Sequence, residues 1–175
     1  MRCFISLKLS EEVTNYLSEI QGRIKKENLF VGKFTAKENL HFTLKFLGEI
    51  NEERMEEVKE KLREIKFKNF KTELGNAGFF DNKKYGIIWI RLENCEELQK
   101  KIDKSLSGLF KPEERFMPHL TIARTKKIKD KKKLTSFLNN LKIGSIKFLV
   151  NKFYLMNSRL SKDGPEYSVL EEFSF

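Results

Sequence analysis

The chain has 175 residues, 39% of them hydrophobic, so we expect a compact folded chain of one domain or two small lobes that share a core. Its 35 Lys and Arg residues outnumber 25 Asp and Glu residues, and the net charge of +10 favours a polyanionic partner. No apolar run approaches the roughly 20 residues that cross a bilayer, and the N-terminus lacks the apolar core of a signal peptide. We therefore expect a cytoplasmic protein without membrane association.

The N-terminal part of the chain reads as strand, helix, strand. Residues 3–9 alternate as a strand, and Ser10 has the side chain of a helix N-cap before apolar residues at helical spacing. Residues 40–47 alternate strictly, which predicts an apolar strand face made of Leu40, Phe42, Leu44 and Phe46. The opposite, polar face must contact solvent or a ligand, and it consists of His41, Thr43 and Lys45.

A helix, a hairpin and another helix follow. The second helix is predicted from Asn51, and two β-rich runs at 69–80 and 85–92 form a hairpin through the turn-like residues 81–84. Asn94 is predicted to cap the third helix, because a glutamate stands three residues later as in a capping box.

The C-terminal part adds a strand at 119–123, a helix around 130–141, a long strand at 144–158 and a last strand at 167–175. Helices and strands are mixed, with hairpin links and no regular βαβ alternation. We therefore expect an α+β fold with mostly antiparallel sheets and helices on the outer faces.

Both histidines of the chain lie in one short pattern. His41 and His119 are each followed at the second position by a threonine and then by an apolar residue, in a chain with only two histidines and seven threonines. Two accidental matches have odds on the order of one in several hundred. The triplets are 78 residues apart, close to half the chain, which indicates an internal duplication with the histidines flanking one cleft.

Paired histidines suit acid and base catalysis at phosphorus. One imidazole can activate a nucleophile while the other protonates the leaving oxygen. A threonine two residues on returns to the histidine's strand face, where its hydroxyl can donate to a phosphate oxygen. Arg124, near the end of the second motif strand, can add a charge-assisted donor, although a surface ion pair is its alternative.

A metal site is not expected. Beyond the two histidines, no obvious cluster of Cys, Asp or Glu offers the three or four ligands that zinc requires. Cys3 and Cys95 lack CxxC spacing and read as reduced structural thiols. We therefore expect no metal and no cofactor.

A basic run, residues 124–133, follows the second triplet and carries seven positive charges. Such runs are usually solvated, but beside a phosphate site this one favours an RNA-backbone track. A few of the 16 phenylalanines are also candidates for stacking on a terminal base. The candidate RNA contacts are Lys45, Lys126, Lys127, Lys131, Lys132 and Lys133.

The residues HFTL at 41–44 and HLTI at 119–122 resemble the two HxTx motifs of the two-histidine (2H) phosphoesterase superfamily. With MRCFISLKL at the start, NLHFTLKFLGEI, PHLTIAR and the closing SRLSKDGPEYSVLEEFSF, they are similar to the RNA 2',3'-cyclic phosphodiesterase branch, also called 2'-5' RNA ligase. The resemblance covers residues 1–175 and implies a single two-lobed catalytic domain. In it, two mostly antiparallel sheets are related by a pseudo-twofold around a central cleft, with helices on the outer faces and no metal in the site.

The implied reaction is hydrolysis of a terminal 2',3'-cyclic phosphate to a 2'-phosphate, with reversible 2'-5' joining of RNA ends in some members. By motif order, His41 corresponds to the proton donor and His119 to the proton acceptor. Thr43, Thr121 and Arg124 fall where the family contacts phosphate. The residues themselves leave both assignments of acid and base open.

The implied partners are RNA ends that carry a 2',3'-cyclic phosphate, including tRNA fragments, and a monomer is expected. Within the enzyme class, small cyclic nucleotides and cyclic ADP-ribose phosphate are further substrate candidates. A basic RNA-binding module without catalysis is the alternative from another class. In that case the lysines would be essential and the histidines would not.

Overall fold

A computed structural model describes residues 1–82, 85–162 and 164–175 of the protein. The helices of this part are α1 (Glu11–Lys26), α2 (Glu52–Arg63), α3 (Glu96–Ser105) and α4 (Lys131–Asn140), and a short 3₁₀ turn spans Lys37–Asn39. Its strands are β1 (Arg2–Lys8), β2 (Phe30–Phe34), β3 (His41–Glu49), β4 (Phe70–Asn82), β5 (Tyr85–Leu92), β6 (His119–Ile128), β7 (Lys147–Val150), β8 (Lys152–Leu160) and β9 (Pro165–Ser174).

Side-chain caps explain where three of the helices begin. Ser10, Asn51 and Asp130 each accept a hydrogen bond from the backbone amide three residues later, at 3.3, 2.9 and 2.9 Å. These caps satisfy amides that have no partner within the helix. Helices α1 and α2 therefore begin at the predicted caps.

The start of α3 differs from the prediction by one residue. Asn94 has a φ of 60° and precedes Cys95, which occupies the N-cap position without a side-chain hydrogen bond. Asparagine tolerates this left-handed conformation better than most residues. Asn94 therefore turns the chain into α3, and the predicted capping box is wrong.

The strands form one large sheet in which every pair is antiparallel. The order is β7-β4-β5-β6-β3-β1-β8-β9, with β2 added to β6. Apart from β2, the plan is symmetric about the β6–β3 contact, because β1, α1 and β3 in one half correspond to β5, α3 and β6 in the other. Helices α2 and α4 then follow the two central strands, and the predicted antiparallel α+β fold is confirmed.

The hydrophobic core lies between the helices and one face of the central strands. Ile5, Leu7, Phe42 and Leu120 are at most 1% exposed and belong to one cluster with the apolar stripes of the helices. Burial of side chains of this size stabilises the fold by about 1.5–3 kcal/mol each. Because side chains alternate along a strand, the other face of the central strands is available for function.

The strand predicted at 144–158 is interrupted in the structure. Strand β7 ends at Val150 and pairs with β4, whereas β8 begins at Lys152 and pairs with β1 and β9. The chain therefore passes from one half of the sheet to the other at Asn151. The β-strand pattern of residues 144–158 continues through Asn151 in the sequence. The strand is divided there only because its two parts pair with different strands.

Two further features concern the sheet edges. The predicted hairpin is confirmed as β4 and β5, but β4 extends to Asn82, and residues 83–84 of the predicted turn lie outside the described residues. Strand β2 was not predicted, because the run FVGKF has little alternation. It is held by pairing with the distal half of β6.

Candidate active site

The two halves of the sheet meet where Phe42 of β3 pairs with Leu120 of β6. Continuing this antiparallel register by one residue places each motif histidine opposite the threonine of the other triplet. Phe42 and Leu120 are fully buried in the core, so the four motif side chains project from the opposite face. The two triplets therefore lie side by side in opposite directions.

Both histidines are held by the same backbone contact. Nδ1 of His41 lies 2.8 Å from the carbonyl oxygen of Asn39, and Nδ1 of His119 lies 2.7 Å from that of Met117. A carbonyl oxygen only accepts, so Nδ1 carries the hydrogen in both rings. Nε2 is then the nitrogen that can exchange a proton with a ligand.

Aromatic rings surround His41. The ring centroids of Phe4 and Tyr167 each lie 4.9 Å from the centroid of the imidazole ring. The ring of Tyr167 is edge-on, at an interplanar angle of 76°. Burial lowers the pKa of His41, the carbonyl of Asn39 opposes this effect, and the positive charge of Arg124 lowers the pKa further. His41 therefore loses its proton at a lower pH than an ordinary histidine.

A groove of about 490 Å³ opens beside His41. Its lining combines apolar side chains with charges of both signs and includes Lys8, Glu11, Glu38, His41, Met156 and Tyr167. Burial raises the pKa of Tyr167, although the charges of Arg124 and Arg2 partly offset this. The phenol therefore stays neutral near neutral pH and can donate a hydrogen bond into the groove.

His119 is supported by a different set of rings. Phe80 of β4 contacts it edge-on at 5.1 Å, and Trp89 of β5 packs against Phe80 at 5.1 Å. A Cβ at Gly78 would lie 2.2 Å from Cζ2 of Trp89, so only glycine leaves room for the indole over β4. Gly78 thus positions Trp89, and Trp89 positions the ring that packs on His119.

Each motif strand contains a β-bulge directly after its threonine. The register of β3 with β1 shifts between Thr43 and Lys45, which makes Leu44 the extra residue. The register of β6 with β5 shifts at the equivalent place, where Ile122 is extra. Because a bulge reverses the alternation beyond it, the fifth residue after each histidine faces the same side as that histidine.

These fifth residues are Arg124 and Phe46. Arg124 is exposed, and its charge acts on His41. Phe46 is 65% exposed, so its predicted place on the apolar strand face is wrong. Sequence reasoning missed that Phe46 lies on the face of the motif histidines, although the equal spacing of Phe46 in HFTLKF and Arg124 in HLTIAR was an available signal.

The prediction that Lys45 contacts RNA is wrong as well. The bulge turns Lys45 into the interior, where it is 4% exposed, forms an ion pair with Asp103 and donates to the carbonyl of Lys111 at 2.9 Å. Burial opposes ionisation of Asp103, but hydrogen bonds from Lys45 and the Glu113 amide outweigh it and lower the pKa of the carboxyl group. Lys45 is therefore a structural residue that links β3 to α3.

The basic run is divided between two elements. Lys126 and Lys127 are exposed in the distal half of β6, whereas residues 131–133 form the first turn of α4. Lys131 is already paired with Asp81 of β4. Strand β2 adds Lys33, which pairs directly with Arg124 in the sheet, so positive charge continues outward from the motif strand.

Other chemistries have little support in residues 1–82, 85–162 and 164–175. No group of three or more His, Cys, Asp and Glu that could hold a metal ion occurs there. Cys3 and Cys95 are buried free thiols, and burial raises the pKa of both, which disfavours the nucleophilic thiolate. No helix in these residues is long and apolar enough to cross a membrane.

Comparison with known sequences agrees with the geometry. The sequence model of the family described as LigT like Phosphoesterase matches residues 7–89 and 92–167, and each match contains one histidine triplet. An RNA 2',3'-cyclic phosphodiesterase of Methanocaldococcus jannaschii is 36% identical over 98% of this chain and 99% of its own. Another, of Methanothermobacter thermautotrophicus, is 33% identical over 99% of this chain and 98% of its own.

Solved structures share the same architecture. TT0787 of Thermus thermophilus has a TM-score of 0.83 and 26% identity, with 99% of this chain and 97% of that chain covered. E. coli LigT complexed with 3'-AMP has a TM-score of 0.78 at 20% identity, with 99% and 97% coverage, a likeness that bears on the fold alone. By sequence and by fold, the chain belongs to the LigT-like phosphoesterase family of 2H phosphoesterases.

Proposed function

We propose that the protein hydrolyses a terminal 2',3'-cyclic phosphate of RNA to a 2'-phosphate. The observation that carries this proposal is the antiparallel pairing of the two HxT triplets, in which both imidazoles are anchored at Nδ1 and present Nε2. The Methanocaldococcus relative bears the name of this activity over nearly its full length. We also propose that residues 1–175 act as one two-lobed catalytic domain and as a monomer.

The site residues then divide the reaction between them. By motif order, His119 accepts a proton from water as its oxygen bonds to phosphorus, and His41 donates a proton to O3' as the P–O3' bond breaks. The phosphate stays on O2', which gives a 2'-phosphate and a free 3'-hydroxyl. If the 5'-hydroxyl of a second RNA replaces water, the same steps form a 2'-5' linkage.

Threonine and arginine side chains are proposed to bind the phosphate. Thr43 and Thr121 share the strand face of the histidines, and stiff β-branched side chains hold their hydroxyl donors in place. Arg124 is carried to that face by the bulge in β6 and supplies positive charge as the phosphate gains negative charge. No metal ion is needed for this scheme, because the two histidines move both protons.

The substrate is proposed to be an RNA end, including the ends of tRNA fragments. The cations that continue outward from the motif strand suit a chain of phosphates, and they are Lys33, Lys126 and Lys127. Lys132 and Lys133, exposed in the first turn of α4, are proposed as further contacts. The alternative, a basic RNA-binding module without catalysis, gives no role to two histidines anchored in the same way.

The test uses an RNA oligonucleotide that ends in a 2',3'-cyclic phosphate, with EDTA present throughout. The parent protein should release a 2'-phosphate end, and His41→Ala and His119→Ala should each lower kcat by about 10²–10⁴-fold. Lys100→Ala, exposed on α3 and outside the proposed RNA contacts, is the matched surface control. If both histidine variants retain the parental rate, the proposal is wrong.

Charge reversal separates the two classes of function. Changing Lys131, Lys132 and Lys133 to Glu should weaken RNA binding, with a reduced salt dependence, while a saturating substrate is still hydrolysed. A binding module would instead lose its function entirely with this change and would be unaffected by the histidine variants.

A further inference from the structure

The site is nearly symmetric, but its two halves differ at the fifth position after each histidine. The histidines, the threonines, the carbonyl anchors and the two bulges all occur twice, in equivalent places. At the fifth position after each histidine, the chain has Arg124 in one half and Phe46 in the other. The two bulges present a guanidinium and a phenyl ring on the same face of the sheet.

The opposite directions of β3 and β6 separate these two side chains. Along β3 the chain passes from His41 through Thr43 to Phe46, which places Phe46 at the end of the junction where His119 lies. Strand β6 runs the other way, so Arg124 lies at the His41 end, in agreement with the effect of its charge on that histidine. One end of the junction therefore carries the guanidinium of Arg124, and the other carries the exposed phenyl ring of Phe46.

The side chain of Phe46 lies on the surface and not in the hydrophobic core. It is 65% exposed, more than any other aromatic side chain among the described residues, with Tyr85 next at 47%. Phe4, which is 3% exposed, lies at a ring-centroid distance of 6.2 Å from it and supports it on one side. Without the bulge at Leu44, alternation would direct Phe46 into the core, so the backbone irregularity itself exposes the ring.

We propose that Phe46 is the stacking platform for the terminal nucleobase of the RNA, an assignment that rests on the proposed function. With the cyclic phosphate at the junction, the base extends toward the His119 end and stacks on the phenyl ring. Stacking on an aromatic face accepts any base, so this contact gives affinity with little sequence preference. Because Arg124 occupies the equivalent place at the other end, the substrate binds in one orientation only.

The experiment compares two substrates and three variants. Both RNAs end in a 2',3'-cyclic phosphate, and one of them has hydrogen at C1' of the terminal ribose in place of the base. Phe46→Ala should lower kcat/KM about tenfold on the normal end and leave the base-free end unchanged. Phe46→Trp should retain the parental value, and Leu149→Ala, 56% exposed on the distant strand β7, should change neither.

The outcomes distinguish the two proposals. If Phe46→Ala lowers kcat/KM equally on both substrates, or on neither, the stacking role is overturned while the phosphodiesterase stands. If Phe46→Trp is as impaired as Phe46→Ala, the ring is not used as a stacking surface. A parent protein that hydrolyses neither substrate refutes the proposed function itself, and the assignment of Phe46 with it.

Discussion

The buried pair formed by Lys45 and Asp103 gives the sharpest test of the bulge. Replacing Lys45 with Met keeps the length of the side chain but removes its charge. Asp103 then retains the hydrogen bond from the Glu113 amide at 2.6 Å and loses its cation. The carbonyl of Lys111 loses a donor at the same time.

The size of the destabilisation expected for Lys45→Met follows from the burial of the ion pair. Lys45 and Asp103 are 4% and 12% exposed, and removing one partner of a buried ion pair costs about 3–5 kcal/mol of unfolding free energy. Because Asp103 keeps one donor and some solvent contact, we expect the lower end, about 3 kcal/mol. For a chain of this size, that corresponds to a fall in Tm of about 6–12 °C.

Urea and thermal unfolding measure the effect. The control is Lys132→Met, which removes the same charge from an exposed position on α4 and should change the unfolding free energy by less than about 0.5 kcal/mol. The double variant Lys45→Met with Asp103→Leu should recover most of the loss, because no unpaired charge remains buried. Below the unfolding transition, Lys45→Met should bind RNA as the parent does.

The loss should also depend on pH in a defined direction. The folded-state pKa of Asp103 is lowered by its partners, so its stabilising effect is present above the unfolded pKa of about 3.9 and is lost as pH falls through the folded value. The gap in stability between parent and Lys45→Met should therefore narrow below about pH 4. An equally stable Lys45→Met protein with weakened RNA binding would show that Lys45 lies in the cleft after all.

Three further predictions concern catalysis. His41 is one of only two histidines, and its imidazole signal in NMR should titrate with a pKa below the ordinary histidine value of 6.5. Arg124→Ala should shift the pKa of His41 upward, and an unchanged pKa would contradict the proximity of Arg124. With His41 as proton donor, kcat/KM should fall as pH rises through this lowered pKa, and a rise there would assign His41 as the base. Gly78→Ala should displace Trp89 and lower kcat by about 10–100-fold, with KM nearly unchanged. An unchanged kcat would show that Trp89 does not help to position His119.

The local pattern of the chain determined much of this protein. Alternation about His41 and His119 fixed which face of each strand carries the imidazole, because neighbouring side chains on an extended chain must point to opposite sides. Helix caps at Ser10 and Asn51 are equally local, since each needs only its own side chain and an amide three residues away. The repeated triplet then indicated both an internal duplication and the chemistry.

Tertiary structure decided what lies around that pattern. The bulges after Thr43 and Thr121 exist only in relation to β1 and β5, and they exchange the predicted places of Lys45 and Phe46. The rings that enclose the histidines come from strands far away in sequence, as Tyr167 of β9 does for His41. Periodicity reports which way a side chain points from its own strand, whereas its partners and the register depend on the other strands that the chain brings alongside.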